Sequence, residues 1–424
     1  MVLTKPPGFR GTSFTSAALA AGLIASGNAT AQETRPPFSV EALPRPGYEP
    51  VTHHLGRATV EIAVDTHLSY DNNIYATSSN EIDDFVLEAQ PQVTVGLAGA
   101  RSSVSARAYA DVREYIDHDT ESATTFGGAL SGRILVGPRA NARLNVKVDR
   151  AVESRTDPEA RAPIFAPPRR SNVLAGDLAF DTGGSRISLL ANVGAERVNF
   201  LSRADDDRDL TALRGSLRMT LRQQSSFAFF TEAYVTHRDF DTNVDSSGVN
   251  RDATTYGAQV GVSRELTGRL RGQIGIGAFR FDPKDSQLRG FTGLGFSGAL
   301  YWSPRQRTVI AADLFRGDVA TVRSGASGRT DTRLSLRIEQ EIRHNLLLNA
   351  GLSWTRNQYR GSPDGSRSTY TGQVELERLL NRRFSLFGSA TASKRDAVRP
   401  LDEFSKYRIS SACGRASKGN GETA

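Results

Sequence analysis

A single cysteine, Cys413, in a chain of 424 residues leaves no pair from which an intramolecular disulfide could form. Beyond the N-terminus there is no uninterrupted apolar run of the roughly 20 residues that a spanning helix requires. Histidine is scarce: His67, His118, His237 and His344 are scattered over separate segments. No serine sits in a GxSxG elbow near any of them, so no nucleophile–base pair is visible and an enzyme is not expected. Pro, Gly and Ser gather into no linker after residue 60, which argues for one architectural unit. A mean hydropathy of -0.38 would suit a soluble protein, yet a membrane barrel shows lipid only alternate residues and escapes such averages.

Alternation is what the chain has instead. Leu213, Gly215, Leu217, Met219 and Leu221 interleave with Arg214, Ser216, Arg218, Thr220 and Arg222. A strand turns these into one apolar and one cationic face, whereas a helix scatters both around its girdle. After Gln223–Ser226 the pattern resumes, with Phe227, Phe229, Thr231, Ala233 and Val235 against Phe230, Glu232, Tyr234 and Thr236. About ten residues is the length a tilted strand needs to cross a bilayer, against five or six for a common soluble strand. Rows of arginine do not suit a protein core and the apolar rows do not suit water. Lipid outside and an aqueous lumen inside satisfy both faces, and a soluble secreted β-protein satisfies them less well.

Lys5 and Arg10 precede the apolar run 14–26, and Ala29-Thr30-Ala31 offers a cleavage site, so residues 1–31 read as a secretory signal. Removing it takes two positive charges from the formal +7, and the remaining basic chain favours anionic partners. Residues 32–57 carry Pro36, Pro37, Pro44, Pro46 and Pro50 and read as a flexible periplasmic leader. His53 and His54 lie there without further ligands and are read as exposed rather than metal-binding.

Short connections at Gly183-Gly184, Gln223–Ser226, Leu266–Gly268, Ser303–Gln306, Arg343–Asn345 and Leu380–Arg382 alternate with long polar ones such as Glu153–Asn172, Asp241–Arg251 and Asp318–Thr330. This rhythm predicts an all-β fold: a transmembrane antiparallel up-and-down β-barrel over 58–412 of about 18 strands, sixteen being the other even count the boundaries allow. Short turns then face the periplasm and long loops the outside. Pro91 interrupts a strand around Phe85–Leu97 and predicts a bulge. Tyr70, Phe126, Phe240, Phe281, Trp302, Trp354, Tyr370 and Phe384 fall near strand ends, where rings sit at headgroup level or fill the lumen.

Ser69-Tyr70-Asp71-Asn72-Asn73-Ile74-Tyr75-Ala76-Thr77, followed by Asp83-Asp84-Phe85 and Gln90-Pro91-Gln92-Val93, resembles the opening strand, loop and second strand of the outer-membrane proteins grouped as putative beta-barrel porin 2. The resemblance covers about thirty residues of sequence. It implies an outer-membrane barrel, with a link to exopolysaccharide production, and brings no catalytic residues. Such barrels usually close on a strand ending in an aromatic residue. Here a closing strand near Phe404–Ala412 is followed by a polar stretch, 413–424, that reads as a disordered tail.

Two motifs have weaker claims. Gly293-Leu294-Gly295-Phe296-Ser297-Gly298 matches a dinucleotide fingerprint, but Ala299–Trp302 continues a strand where the fingerprint needs a helix. Asp241, Asn243, Asp245 and Asp252 stand at the offsets of a calcium loop, although Ser246 replaces the turn glycine and Asp252 the bidentate glutamate, so a solvated loop is preferred. Asp205, Asp206, Asp207 and Asp209 form a second acidic loop with a still weaker claim.

The expected function is therefore a porin-like barrel that passes or docks anionic solutes or exopolysaccharide, the alternative being a non-conducting structural or adhesin barrel whose loops bind a partner. Arg107, Arg113, Arg133, Arg143, Lys147, Arg214, Arg218, Arg222, Arg271, Arg333 and Arg337 share the inward parity. Arg214, Arg218 and Arg222 would stack about 13 Å apart. They serve either as an anion ladder or as wall bracing against acids such as Glu232. Expected partners are outer-membrane lipid and lipopolysaccharide, the barrel assembly machinery and an anionic polysaccharide; no cofactor and no nucleic acid are called for.

Overall fold

The computed structural model describes residues 39–40, 43–160, 163–222, 227–267 and 269–416. The expected signal sequence at 1–31, the start of the expected leader, the turn 223–226 and the residues beyond 416 lie outside the described residues.

A short strand β1 (His53–Leu55) turns back onto β2 (Ala58–Asp71), which begins a meander through β3 (Asp84–Ala98), β4 (Ser102–Tyr115), β5 (Ala123–Leu135) and β6 (Ala140–Val152). It continues through β7 (Arg170–Gly183), β8 (Ile187–Phe200), β9 (Leu210–Arg222), β10 (Phe227–Phe240), β11 (Ala253–Thr267) and β12 (Leu270–Pro283). The last seven are β13 (Phe291–Arg305), β14 (Thr308–Val319), β15 (Gly328–Arg343), β16 (Leu346–Arg360), β17 (Ser366–Leu379), β18 (Phe384–Ala397) and β19 (Phe404–Ala416). Each strand from β2 onward pairs antiparallel with its successor, and β19 pairs with β2 from Arg408↔Asp71 to Ala416↔Ala63. The result is a closed barrel of eighteen strands, each of β2 to β19 paired on both sides.

Burial is inverted relative to a soluble protein. Leu213 and Leu217 on β9 are 52% and 54% exposed, while Glu88 on β3 and Asp331 on β15 are 2% and 1% exposed. The apolar members of each alternating strand, among them Val193, Val260, Ile274, Leu294 and Leu352, form an exposed belt around the wall. Such a belt is stable against lipid, and the polar lumen satisfies the charged faces. Of the strand-end aromatics, Phe126, Trp302, Tyr370 and Phe384 stand on the exposed surface, whereas Phe240 and Phe281 are buried inside.

Three details differ from the sequence expectation. Pro91 produces no bulge: the β3–β4 register runs from Val86↔Tyr115 to Ala98↔Ser103 without a shift, and the ladder simply lacks partners at Gln90 and Pro91. A proline has no N–H to donate, and the long flanking ladder holds the register across the gap. The closing strand runs to Ala416, four residues past the expected boundary, because Cys413–Ala416 still find partners at Thr66–Ala63. The end of the leader is docked rather than free. Val40 packs with Val309 and Leu347, Ser39 Oγ and the Val40 amide each donate to Glu339 Oε2 at 3.0 Å, and Arg45 Nη2 lies 3.3 Å from Glu341 Oε2. The leader thus lines the barrel mouth at the short-turn end.

Candidate channel constriction

At the opposite mouth the connection between β6 and β7, described at 153–160 and 163–169, folds into the lumen instead of standing clear of it. Its entry is set locally. The Asp157 amide donates to Ser154 O at 2.9 Å, and Asp157 Oδ1 accepts the Glu159 amide at 2.7 Å, an aspartate-stabilised turn of the kind this residue favours. The turn aims Glu159 across the barrel. Its Oε1 accepts from Arg329 Nη1 on β15 at 2.7 Å and from Thr321 Oγ1 at 2.9 Å. The neighbouring Pro158 carbonyl accepts from Arg367 Nη1 at 2.8 Å, and from Tyr359 Oη and Arg323 Nη1 at 3.3 Å each. Arg395 on β18 donates to the Thr156 carbonyl.

A second connection, 320–327 between β14 and β15, also turns inward. Val322 packs with Leu210, Ala212 and Phe240 on the far wall. Arg251 holds the turn through its carbonyls, donating to Ala326 O at 3.1 Å and Arg323 O at 3.3 Å. Below it, Arg238 on β10 pairs with Asp318 at 2.6 Å. Arg323 bonds Asp364 through Nε and Asp402 through Nη2, and Arg399 reaches Asp364 from the last long connection. Two connections therefore cross the mouth and lock to each other and to the wall.

Burial pushes the carboxyls of Asp157 and Glu153 above the usual carboxylate range, against the opposing pull of Arg329 on the first and Arg208 on the second. Burial would raise Asp364 too, but hydrogen bonds from Arg323 and Arg399 hold it below that range. Beneath the 153–169 loop a cavity of about 200 Å³ is bordered by Gln373, Ser389, Thr391, Ser393 and His67, with Arg113, Lys406 and Arg408 also on its wall. These three cations are matched by Glu88, Asp111 and Asp71.

The arginines named from the sequence fall on the inward face but mostly meet acids or other polar groups. Arg214 Nη2 lies 2.6 Å from Glu196, Arg143 pairs with Asp181, Lys147 with Asp149, and Arg333 with Asp331. Arg218, directly opposite Glu232 in register, donates to Gln273 at 2.9 Å and lies over the Phe230 ring at 3.6 Å. Arg222 caps the Gly184 carbonyl at 3.0 Å. Arg107 stands over the Tyr109 ring at 5.2 Å, and Arg337 is exposed to the lumen opposite Ala311 of β14.

The candidate calcium residues do not converge. Asp241 pairs with Arg197, Asp245 with Arg251, and Asp252 accepts from Lys284 and the Phe240 amide. Among the described residues no three His, Cys, Asp or Glu side chains gather as metal ligands. Asp205 likewise pairs with Arg169 and Arg208. The glycine-rich stretch 293–298 lies wholly within β13. Sequence reasoning missed Arg323, Arg329, Arg367 and Arg395. Arg329 has the parity of Arg333, two pleat periods nearer the long-loop mouth, and that parity was the available signal; nothing local indicates that Pro158 would meet Arg367.

A closed antiparallel barrel with a lipid-compatible belt and a charged lumen is the architecture of an outer-membrane porin-like protein. The chain belongs to the putative beta-barrel porin 2 family, whose model matches residues 45–412. Among solved structures it is similar to the FrpB iron transporter from Neisseria meningitidis, at 9% identity and a TM-score of 0.46, over 84% of this chain and 81% of that one. OccK2 (OpdF) of Pseudomonas aeruginosa aligns at 9% identity and a TM-score of 0.45, over 86% and 100% of the two chains. The outer membrane protein opdK of the same organism aligns at 11% and 0.44, over 84% and 99%. No curated protein matches the chain.

Proposed function

We propose that this barrel is a diffusion channel for small polar solutes with a preference for anions, narrowed at its long-loop mouth by residues 153–169. The observation that carries this reading is the Glu159–Arg329 contact, which draws the loop across the lumen above a polar cavity. A charged, wetted constriction discriminates by size and sign, as rings of charge do in other pores. Carriage of an exopolysaccharide chain would require the loop to leave the lumen and break its bonds to Arg323, Arg329, Arg367 and Arg395. Planar-bilayer recording of the refolded protein tests the proposal: discrete conductance steps with a reversal potential displaced toward anions are expected. A silent barrel would favour the second reading, a non-conducting barrel displaying its loops to a partner. That reading is supported by the mutual locking of the two crossing connections through Arg323 on the Pro158 carbonyl and Thr321 on Glu159.

A further inference from the structure

Arg395 and Arg367 are deeply buried lumenal guanidiniums that hold the in-folded loop by its backbone carbonyls. Arg395 is 5% exposed, and its hydrogen bonds go to two neutral groups, Thr369 Oγ1 at 3.1 Å and the Thr156 carbonyl, while the guanidinium lies over the Phe404 ring at 4.8 Å. It touches no carboxylate among the described residues. Asp157 and Asp402 act on it only at a distance, and Asp157 is pushed by its own burial toward the neutral form. Arg367 is 3% exposed; it shares Asp402 with Arg323, gives a second bond to the Pro158 carbonyl, and has a buried Nε–H without an acceptor. A guanidinium buried among neutral acceptors is costly, because a carbonyl dipole replaces only part of the lost hydration.

Location supplies the second argument. Thr369↔Arg395, Thr371↔Ser393 and Gln373↔Thr391 are successive directly opposed pairs of β17 and β18, with Glu375↔Ser389 below them. Gln373, Glu375, Ser389, Thr391 and Ser393 border the cavity, and the same alternation continues in register through Thr371 and Thr369 to Arg395, at a rise of about 7 Å for every second residue. The loop carbonyls of Thr156 and Pro158 sit where a solute leaving this track would arrive.

We propose that Arg395 and Arg367 form a binding site for small oxyanions, of the phosphate, sulfate or carboxylate class, and that the carbonyls of the 153–169 loop occupy it as an internal substitute. Resting on the channel reading for its access route, the site gives that channel a substrate class and a reason for the loop to move. An oxyanion offers Arg367 Nε its missing acceptor and gives both guanidiniums an acceptor of opposite charge, which a neutral carbonyl dipole does not supply. Glu159, held by Arg329 and Thr321, keeps the substitute in place.

The test is calorimetric titration of inorganic phosphate into the full chain refolded in detergent, with folding checked by migration before and after boiling. Wild type is expected to bind, Arg395→Gln and Arg367→Gln to bind at least tenfold more weakly, and Glu159→Gln, which loosens the competing loop, to bind several-fold more tightly. Binding undiminished in folded Arg395→Gln overturns the site, as does the absence of binding in both wild type and Glu159→Gln. Conductance does not enter this readout. A barrel that binds phosphate without conducting contradicts the channel and leaves the site standing, and a conducting barrel that binds none does the reverse.

Discussion

Glu159 Oε1 lies 2.7 Å from Arg329 Nη1 although the two residues are 170 positions apart, one on a connection leaving β6 and the other at the start of β15. Both are buried, so the contact fixes where the loop sits and is sensitive to the loss of either partner. Removing one member of a buried pair typically costs about 3–5 kcal/mol because the other charge remains. Arg329→Ala is therefore expected to free the 153–169 loop rather than to unfold the wall, since the β14–β15 and β15–β16 ladders are unaffected. Limited proteolysis on intact cells reads this directly, by faster cleavage next to Arg155 and Arg169 in the variant than in wild type. Equal cleavage would mean that the pair does not hold the loop.

Surface labelling separates the in-folded connections from those that stand clear. An epitope inserted after Gly248, between exposed Ser247 and the rest of that connection, should be labelled on intact cells. One inserted beside Glu159 should remain unlabelled or disrupt the mouth, contrary to what loop length alone would suggest. Labelling at Gly248 only after permeabilisation would invert the topology.

Acidity should act on the constriction in two stages. The raised carboxyls of Asp157 and Glu153 penalise the in-folded loop while they are ionised, and this penalty is relieved as pH falls through their folded-state values toward the ordinary carboxylate range. The depressed Asp364 has the opposite sign: its contribution is complete above the ordinary range and disappears only as pH falls below it. Conductance is accordingly expected to fall on mild acidification and to recover in stronger acid. Asp157→Asn should weaken the first phase, and an unchanged first phase in that variant would remove Asp157 from the account.

The barrel was legible because its signal is local. Leu213 against Arg214 and Val260 against Gln259 each record, within two residues, which side meets lipid, and eighteen such records with alternating turn lengths define the meander. The constriction was not legible, because it depends on chain closure bringing Pro158 to Arg367 and Glu159 to Arg329, a meeting that no periodicity encodes. Docking of the leader escaped for the same reason: Arg45 in a proline-rich stretch looks solvated until Glu341 is placed opposite it. Wall arginines were found by parity, but parity does not reveal that Glu196 lies 2.6 Å from Arg214.

Those pairings shape what the wall arginines do. Replacing Arg214, Arg218 and Arg222 together with Gln removes three positive charges from the lumenal face, so the reversal potential should move toward cations. Glu196 then loses its ion pair with Arg214, and the boiling-resistant folded form should melt earlier. A shift in melting without any change in reversal potential would assign these residues to bracing alone.

Single-channel recording of the full-length refolded protein, wild type beside Arg329→Ala, bears most directly on a channel narrowed by its own loop. Discrete steps in wild type and larger steps in the variant, with both proteins heat-modifiable on gels, are the predicted result. Identical steps in the two, or silence in both, would contradict it.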